Sequence, residues 1–175
     1  VHFDSRLLIP SQCVFGRAEF IKYVIKELRE NRVYLYGIGG IGKTEIVKSV
    51  VNTILNAPIG SSYMLVRDIY WIIYDNCKDG DDVKDCIIKS IKPQTMINDD
   101  NRNVLYEECI HIINKKRTLL IIDNIEIFSN ELLAFINRVQ NVRLLVVGRP
   151  DPIGGSPLLN VEVQKLDLNA CMDLF

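Results

Sequence analysis

Eight consecutive residues constrain this chain most: Gly37-Ile38-Gly39-Gly40-Ile41-Gly42-Lys43-Thr44. They fit G-x-x-x-x-G-K-[ST], a pattern that requires a strand before it and a helix after it. The sequence supplies both. Val33, Tyr34, Leu35 and Tyr36 form a β-branched and aromatic run of strand length. From Glu45 to Asn52, Ile46, Val47, Val50 and Val51 share one helical face. Glycines let the backbone turn tightly and gather N–H groups around one point. The helix that begins near Gly42 aims its positive end at the same point. Lys43 adds a mobile cation for outer phosphates, and the Thr44 hydroxyl is a hard oxygen ligand for Mg²⁺. The alternative is a glycine-rich turn with an incidental lysine; the flanking strand and helix favour a phosphate loop. The expected ligand is a nucleoside triphosphate or diphosphate.

The bulk composition excludes several other classes. At 175 residues the chain is long enough for one domain with a sizeable core. A net charge of −1 gives no electrostatic footprint for nucleic acid or a membrane surface. No apolar run approaches a membrane span, and the N-terminus lacks a charged-then-apolar signal pattern. The cysteines Cys13, Cys77, Cys86, Cys109 and Cys171 are odd in number and form no C-x-x-C pair. That pattern predicts a reducing, cytoplasmic compartment with neither a disulfide framework nor a zinc site.

Along the chain, residues 1–12 read as a lead-in, followed by an amphipathic helix from Ala18 to Glu30 with Phe20, Tyr23, Val24 and Leu28 on its stripe. Arg17 reads from pattern alone as a solvated residue near that helix start. Ile69 to Tyr74 is a second strand, and its Trp71 reads as core. A polar turn follows, with Asp81 or Asp82 able to cap a helix running to Lys92, where Pro93 ends it. Asp99 to Lys116 is the next helix, carrying Leu105, Cys109, Ile112 and Ile113, with His111 as a surface or boundary residue. Thr118 to Ile122 is an unbroken apolar strand, the kind covered on both faces in a parallel sheet. Glu131 to Gln140 is a helix, Val142 to Gly148 a strand, Val161 to Val163 a short strand, and Leu168 to Phe175 opens a helix. Strands alternating with helices imply an α/β fold: a three-layer α/β/α P-loop core around a mainly parallel five-stranded sheet.

In such sheets ligands sit beyond the carboxyl ends of the strands. Asp123 follows the strand Leu119-Leu120-Ile121-Ile122, where a carboxylate can hold Mg²⁺ together with Thr44. A turn aspartate without a metal is the alternative. Asn124 comes next; an amide can hydrogen-bond a water but cannot accept its proton at neutral pH. Slow or absent turnover is the expectation, with Glu126 nearby. Arg149 ends the fourth strand, placed to meet a γ-phosphate through its bidentate fork, against the alternative of a surface arginine. Lys43, Asp123 and Arg149 are therefore the candidate catalytic set. The candidate nucleotide contacts in the loop are Gly37, Gly39, Gly40, Ile41, Gly42, Lys43, Thr44 and Glu45, with Thr44 and Asp123 as Mg²⁺ ligands.

These pieces together resemble the NB-ARC, or STAND, class of signal-transduction ATPases, within the wider AAA+ style of fold. The resemblance rests on VFGR at 14–17, LYGIGGIGKT at 35–44, TLLIIDNIE at 118–126 and VRLLVVGRP at 142–150, with VEVQKLDLNACMDLF at 161–175 like the segment that follows. It implies ATP or ADP, with Val14, Phe15 and Arg17 beside the adenine. It also implies a switch in which ADP holds a longer protein closed and ATP favours an open form that self-associates. Asn124 departs from the family's common second acidic residue. Helical and winged-helix modules are expected beyond residue 175, with other protein partners bound through further domains. Two rival readings are a continuously cycling ATPase (a small-molecule kinase or an AAA+ motor) and a non-enzymatic scaffold with a degenerate pocket. The missing acceptor site or lid weighs against the kinase and Asn124 against the motor; Lys43, Thr44 and Asp123 together weigh against the scaffold.

Overall fold

The computed structural model describes residues 16–58, 66–75, 77, 79–115, 117–149, 151–152 and 157–165. The elements in order are α1 (Ala18–Glu27), β1 (Val33–Tyr36), α2 (Lys43–Leu55), β2 (Asp68–Ile73), α3 (Gly80–Ile91), α4 (Arg102–Ile113), β3 (Thr118–Ile125), α5 (Asn130–Arg138), β4 (Arg143–Gly148) and β5 (Leu159–Glu162). The strands form one sheet in the order β2-β3-β4-β1-β5. Every pairing in it is parallel, where the sequence suggested mainly parallel.

Alternation along the strands splits the core into two layers. Val33, Leu35, Leu119, Ile121, Leu145 and Val147 face α1 and α2. Tyr34, Leu120, Ile122, Leu144 and Val146 face α3, α4 and α5. This is why the strands read as continuous apolar runs: each residue is buried on one side or the other. The three-layer α/β/α expectation holds.

The elements differ from the sequence reading in their faces and ends. The buried stripe of α1 is Ile21, Val24, Ile25 and Leu28, while Tyr23 is 43% exposed. Ring edges at the flank tolerate water, so the aliphatic residues take the core. In α4 the buried residues are Tyr106, Cys109, Ile110 and Ile113, with Leu105 and Ile112 only half-buried. Neither Asp81 nor Asp82 caps α3. Asp79 does, accepting from both of their backbone N–H groups at 2.9 Å. The two aspartates instead sit in the first turn, where the helix dipole favours negative charge. β3 continues two residues past Asp123 through an irregularity between Ile122 and Ile125. The expected helix at 168–175 lies outside the described residues.

Candidate functional site

β1 ends at Tyr36 and the chain turns through the glycine loop into α2. The turn into the helix is made at Gly42, with φ 92°, a left-handed conformation that residues with a Cβ avoid. Ile46 N–H then bonds to the Gly42 carbonyl at 3.0 Å, starting the helix there. The Lys43 ammonium lies over its own loop, donating to the carbonyls of Gly37 at 2.7 Å and Ile38 at 2.9 Å. Burial, and then the charge of Arg149, pull its pKa down; Asp123 opposes them.

Asp123 on β3 reaches the loop helix directly. The Thr44 hydroxyl donates to Asp123 Oδ2 at 3.1 Å, and Asn124 N–H donates to Oδ1 at 2.8 Å. Asp123 is only 5% exposed. Burial pushes its carboxyl pKa up, while the Asn124 N–H, the Thr44 hydroxyl, the Trp71 indole and the Lys43 ammonium each draw it back. A hydroxyl and a carboxylate in contact at a helix N-terminus are hard oxygen donors of the kind Mg²⁺ takes, so the residues fit that ion.

Between the strand of the loop and the strand of Asp123 lies β4, whose last residue is Gly148. A Cβ there would sit 2.8 Å from the Ile125 carbonyl and 2.9 Å from the Tyr34 hydroxyl, so only glycine fits. The next residue, Arg149, is anchored by its N–H to the Ile125 carbonyl at 2.9 Å. Its guanidinium stands near Gly39 and pairs with Glu126 at 2.9 Å. Gly39, Gly40, Gly42, Lys43, Thr44, Glu45, Asp123, Asn124 and Arg149 thus line one open cleft of about 240 Å³. Glu45 turns its carboxylate to Lys48 at 2.7 Å while still bordering the cleft.

Arg17 corrects the solvated reading. It is 7% exposed and donates to the carbonyls of Ile41 at 3.4 Å and Gln164 at 3.0 Å. It therefore ties the glycine loop to the chain leaving β5. Gly37 and Ile41 belong to the loop but not to the cleft wall. Val14 and Phe15 lie outside the described residues. His111 is exposed at the end of α4, away from the cleft. Sequence reasoning missed the Glu126 partner of Arg149 and the close approach at Gly148. Neither had a local signal, because both depend on which strands are neighbours.

The NB-ARC domain model matches residues 18–175. The chain belongs to the NB-ARC family. NB-ARC domains are STAND-class P-loop NTPase domains, and the loop geometry above is that of a nucleotide-binding P-loop. A comparison with curated proteins found no match. Among solved structures, this NB-ARC chain is similar to the ORC1 protein of Aeropyrum pernix in complex with DNA, at 17% identity and a TM-score of 0.61. That match covers 95% of this chain and 50% of the other. Drosophila ORC bound to DNA follows at 16% identity and TM-score 0.58, covering 90% and 45%. Cdc6p of Pyrobaculum aerophilum is also similar, at 16% and 0.53, covering 90% and 48%. The chain spans about half the length of each. The likeness is one of fold, a parallel α/β sheet carrying a P-loop.

Proposed function

We propose that this NB-ARC domain is the ATP- and ADP-binding core of a cytoplasmic signalling switch that hydrolyses ATP slowly or not at all. The contact between Thr44 and Asp123, at the foot of a glycine loop that carries Lys43, supports the reading most. In it the loop N–H groups and the α2 N-terminus take the polyphosphate, and Lys43 swings from the Gly37 and Ile38 carbonyls to the outer phosphates. Thr44 and Asp123 hold Mg²⁺, which when bound screens phosphate charge. Arg149 meets the γ-phosphate, and Arg17 with Val14 and Phe15 borders the adenine. Asn124 orients a water without taking its proton.

Switching requires that ATP and ADP bind two conformations with different affinity, since a ligand shifts an equilibrium only by that difference. The readout, self-association and protein partners belong to modules outside residues 1–175. Nucleic acid is left out on the net charge of −1. The DNA complexes among the similar structures pull the other way, at 16–17% identity. A DNA titration at low salt decides between the two.

The direct test is thermal melting with Mg–ATP, Mg–ADP and neither. Ligand at 100 times its dissociation constant stabilises by about 2.7 kcal/mol. That is an upward shift of roughly 5 to 11 °C for a domain of this size. Lys43→Ala is expected to lose most of it. A wild-type melting curve unmoved by either nucleotide would sink the proposal. Steady turnover on the order of 1 s⁻¹ would favour a continuously cycling ATPase instead.

A further inference from the structure

Trp71 on β2 is the chain's single tryptophan and is 8% exposed. Its indole Nε1 is shut away from solvent, and among the described residues no acceptor meets it in full hydrogen-bond geometry. A buried N–H left unmatched costs roughly 1–3 kcal/mol, so its surroundings call for an explanation. The strand register supplies one. β2 runs parallel to β3, with Trp71 opposite Ile121 and Ile73 opposite Asp123. Residues two apart on a strand share a face, which puts Trp71 and Asp123 on the same side of the sheet. That side is the one covered by α2. Trp71 belongs to the core cluster containing Ile46 and Val50, and Asp123 takes the Thr44 hydroxyl from the same helix.

The Asp123 carboxylate has room for another donor. Asn124 N–H occupies Oδ1 and the Thr44 hydroxyl Oδ2, while each carboxylate oxygen offers two lone-pair sites. Hydrogen bonds in such sites often tighten only when the site is loaded.

We propose that Trp71 is a positioning residue of the metal site: its indole N–H is the third donor to Asp123 and fixes the plane of the carboxylate that faces Mg²⁺. This rests on the nucleotide reading of the loop. Partners that orient a metal ligand are worth roughly 10–100-fold in metal affinity. The rival role is packing alone, which Phe would largely satisfy.

Binding of a fluorescent N-methylanthraniloyl derivative of ADP, measured with Mg²⁺ in excess and in EDTA, separates the two. Trp71→Phe is expected to lower affinity by roughly tenfold or more with Mg²⁺, leaving the EDTA value unchanged. Equal loss under both conditions, or none under either, overturns the positioning role while leaving the nucleotide reading intact. A wild-type chain that binds the probe under neither condition removes the nucleotide reading and this inference together. The wild type gives a second measurement that needs no variant. One tryptophan means one indole ¹H–¹⁵N resonance, and adding Mg²⁺ to the ADP-bound protein should move it as the bond tightens. A resonance that stays put overturns the proposal even if Trp71→Phe fails to fold.

Discussion

Asn124 holds φ 67°, a left-handed backbone conformation that costs most side chains roughly 1–2 kcal/mol and that Asn and Asp tolerate best. The conformation is part of the irregularity by which β3 passes Asp123, and it turns Asn124 to the cleft wall. Aspartate suits the same backbone and adds a proton acceptor. Asn124→Asp is therefore expected to raise single-turnover ATP hydrolysis by roughly 100-fold, the lower end of what a placed base contributes. An unchanged rate would show that something other than position 124 limits the chemistry. Gly148 is the opposite case, a residue chosen by space. A methyl group there meets a backbone carbonyl at 2.8 Å, which cannot yield as a flexible side chain can. Gly148→Ala should cost about 1–3 kcal/mol, the range for forcing extra volume into a packed core, read as a lower denaturant midpoint. The loop residues and Asp123 were legible in the sequence because spacing along one strand–turn–helix unit fixes them. Gly148, the burial of Arg17 and the setting of Trp71 were not, because each is defined by a strand or segment far away in the chain.

Between elements, Arg138 ties α5 to α4. Its guanidinium takes both carboxylate oxygens of Glu107, at 2.8 and 2.5 Å, and lies 5.5 Å from the Tyr106 ring centre. The hydrogen bond from Arg138 holds the Glu107 pKa below its ordinary value. A carboxylate lowered on folding stabilises above its unfolded pKa, about 4.3, and that gain is lost as pH falls through the folded value. The Glu107 side chain is 59% exposed, so the gain is under about 1 kcal/mol. Wild type should therefore lose slightly more stability than Glu107→Gln between neutral and acid pH; parallel melting curves would refute the link. At this scale the chain announced element type and order well, since long apolar runs alternate with amphipathic ones. It gave helix faces less well. The stripes of α1 and α4 include residues one position away from the expected ones, because a period of 3.6 leaves several flanking positions that only tertiary packing can rank.

At the scale of the molecule, a fully parallel sheet brings every strand's carboxyl end to one rim, and strand order decides who meets whom there. β4 lies beside β1, so Arg149 falls next to the glycine loop. Its pair with Glu126 is 57% and 61% exposed, worth under about 1 kcal/mol, whereas hydrogen bonds to a charged group are worth about 1.5–3 kcal/mol. On the proposed function a γ-phosphate therefore outcompetes Glu126. Arg149→Ala should weaken ATP binding by roughly tenfold or more and leave ADP binding unchanged, measured by calorimetric titration. Equal weakening of both would remove the γ-phosphate role. The same one-way sheet leaves its far rim with a different task. There Arg32, just ahead of β1, donates to the Ile136 and Val139 carbonyls at the end of α5, and nothing in that contact touches the cleft. Damage at the two poles should accordingly look different: a change at one alters what the domain holds, while a change at the other alters how much heat it survives.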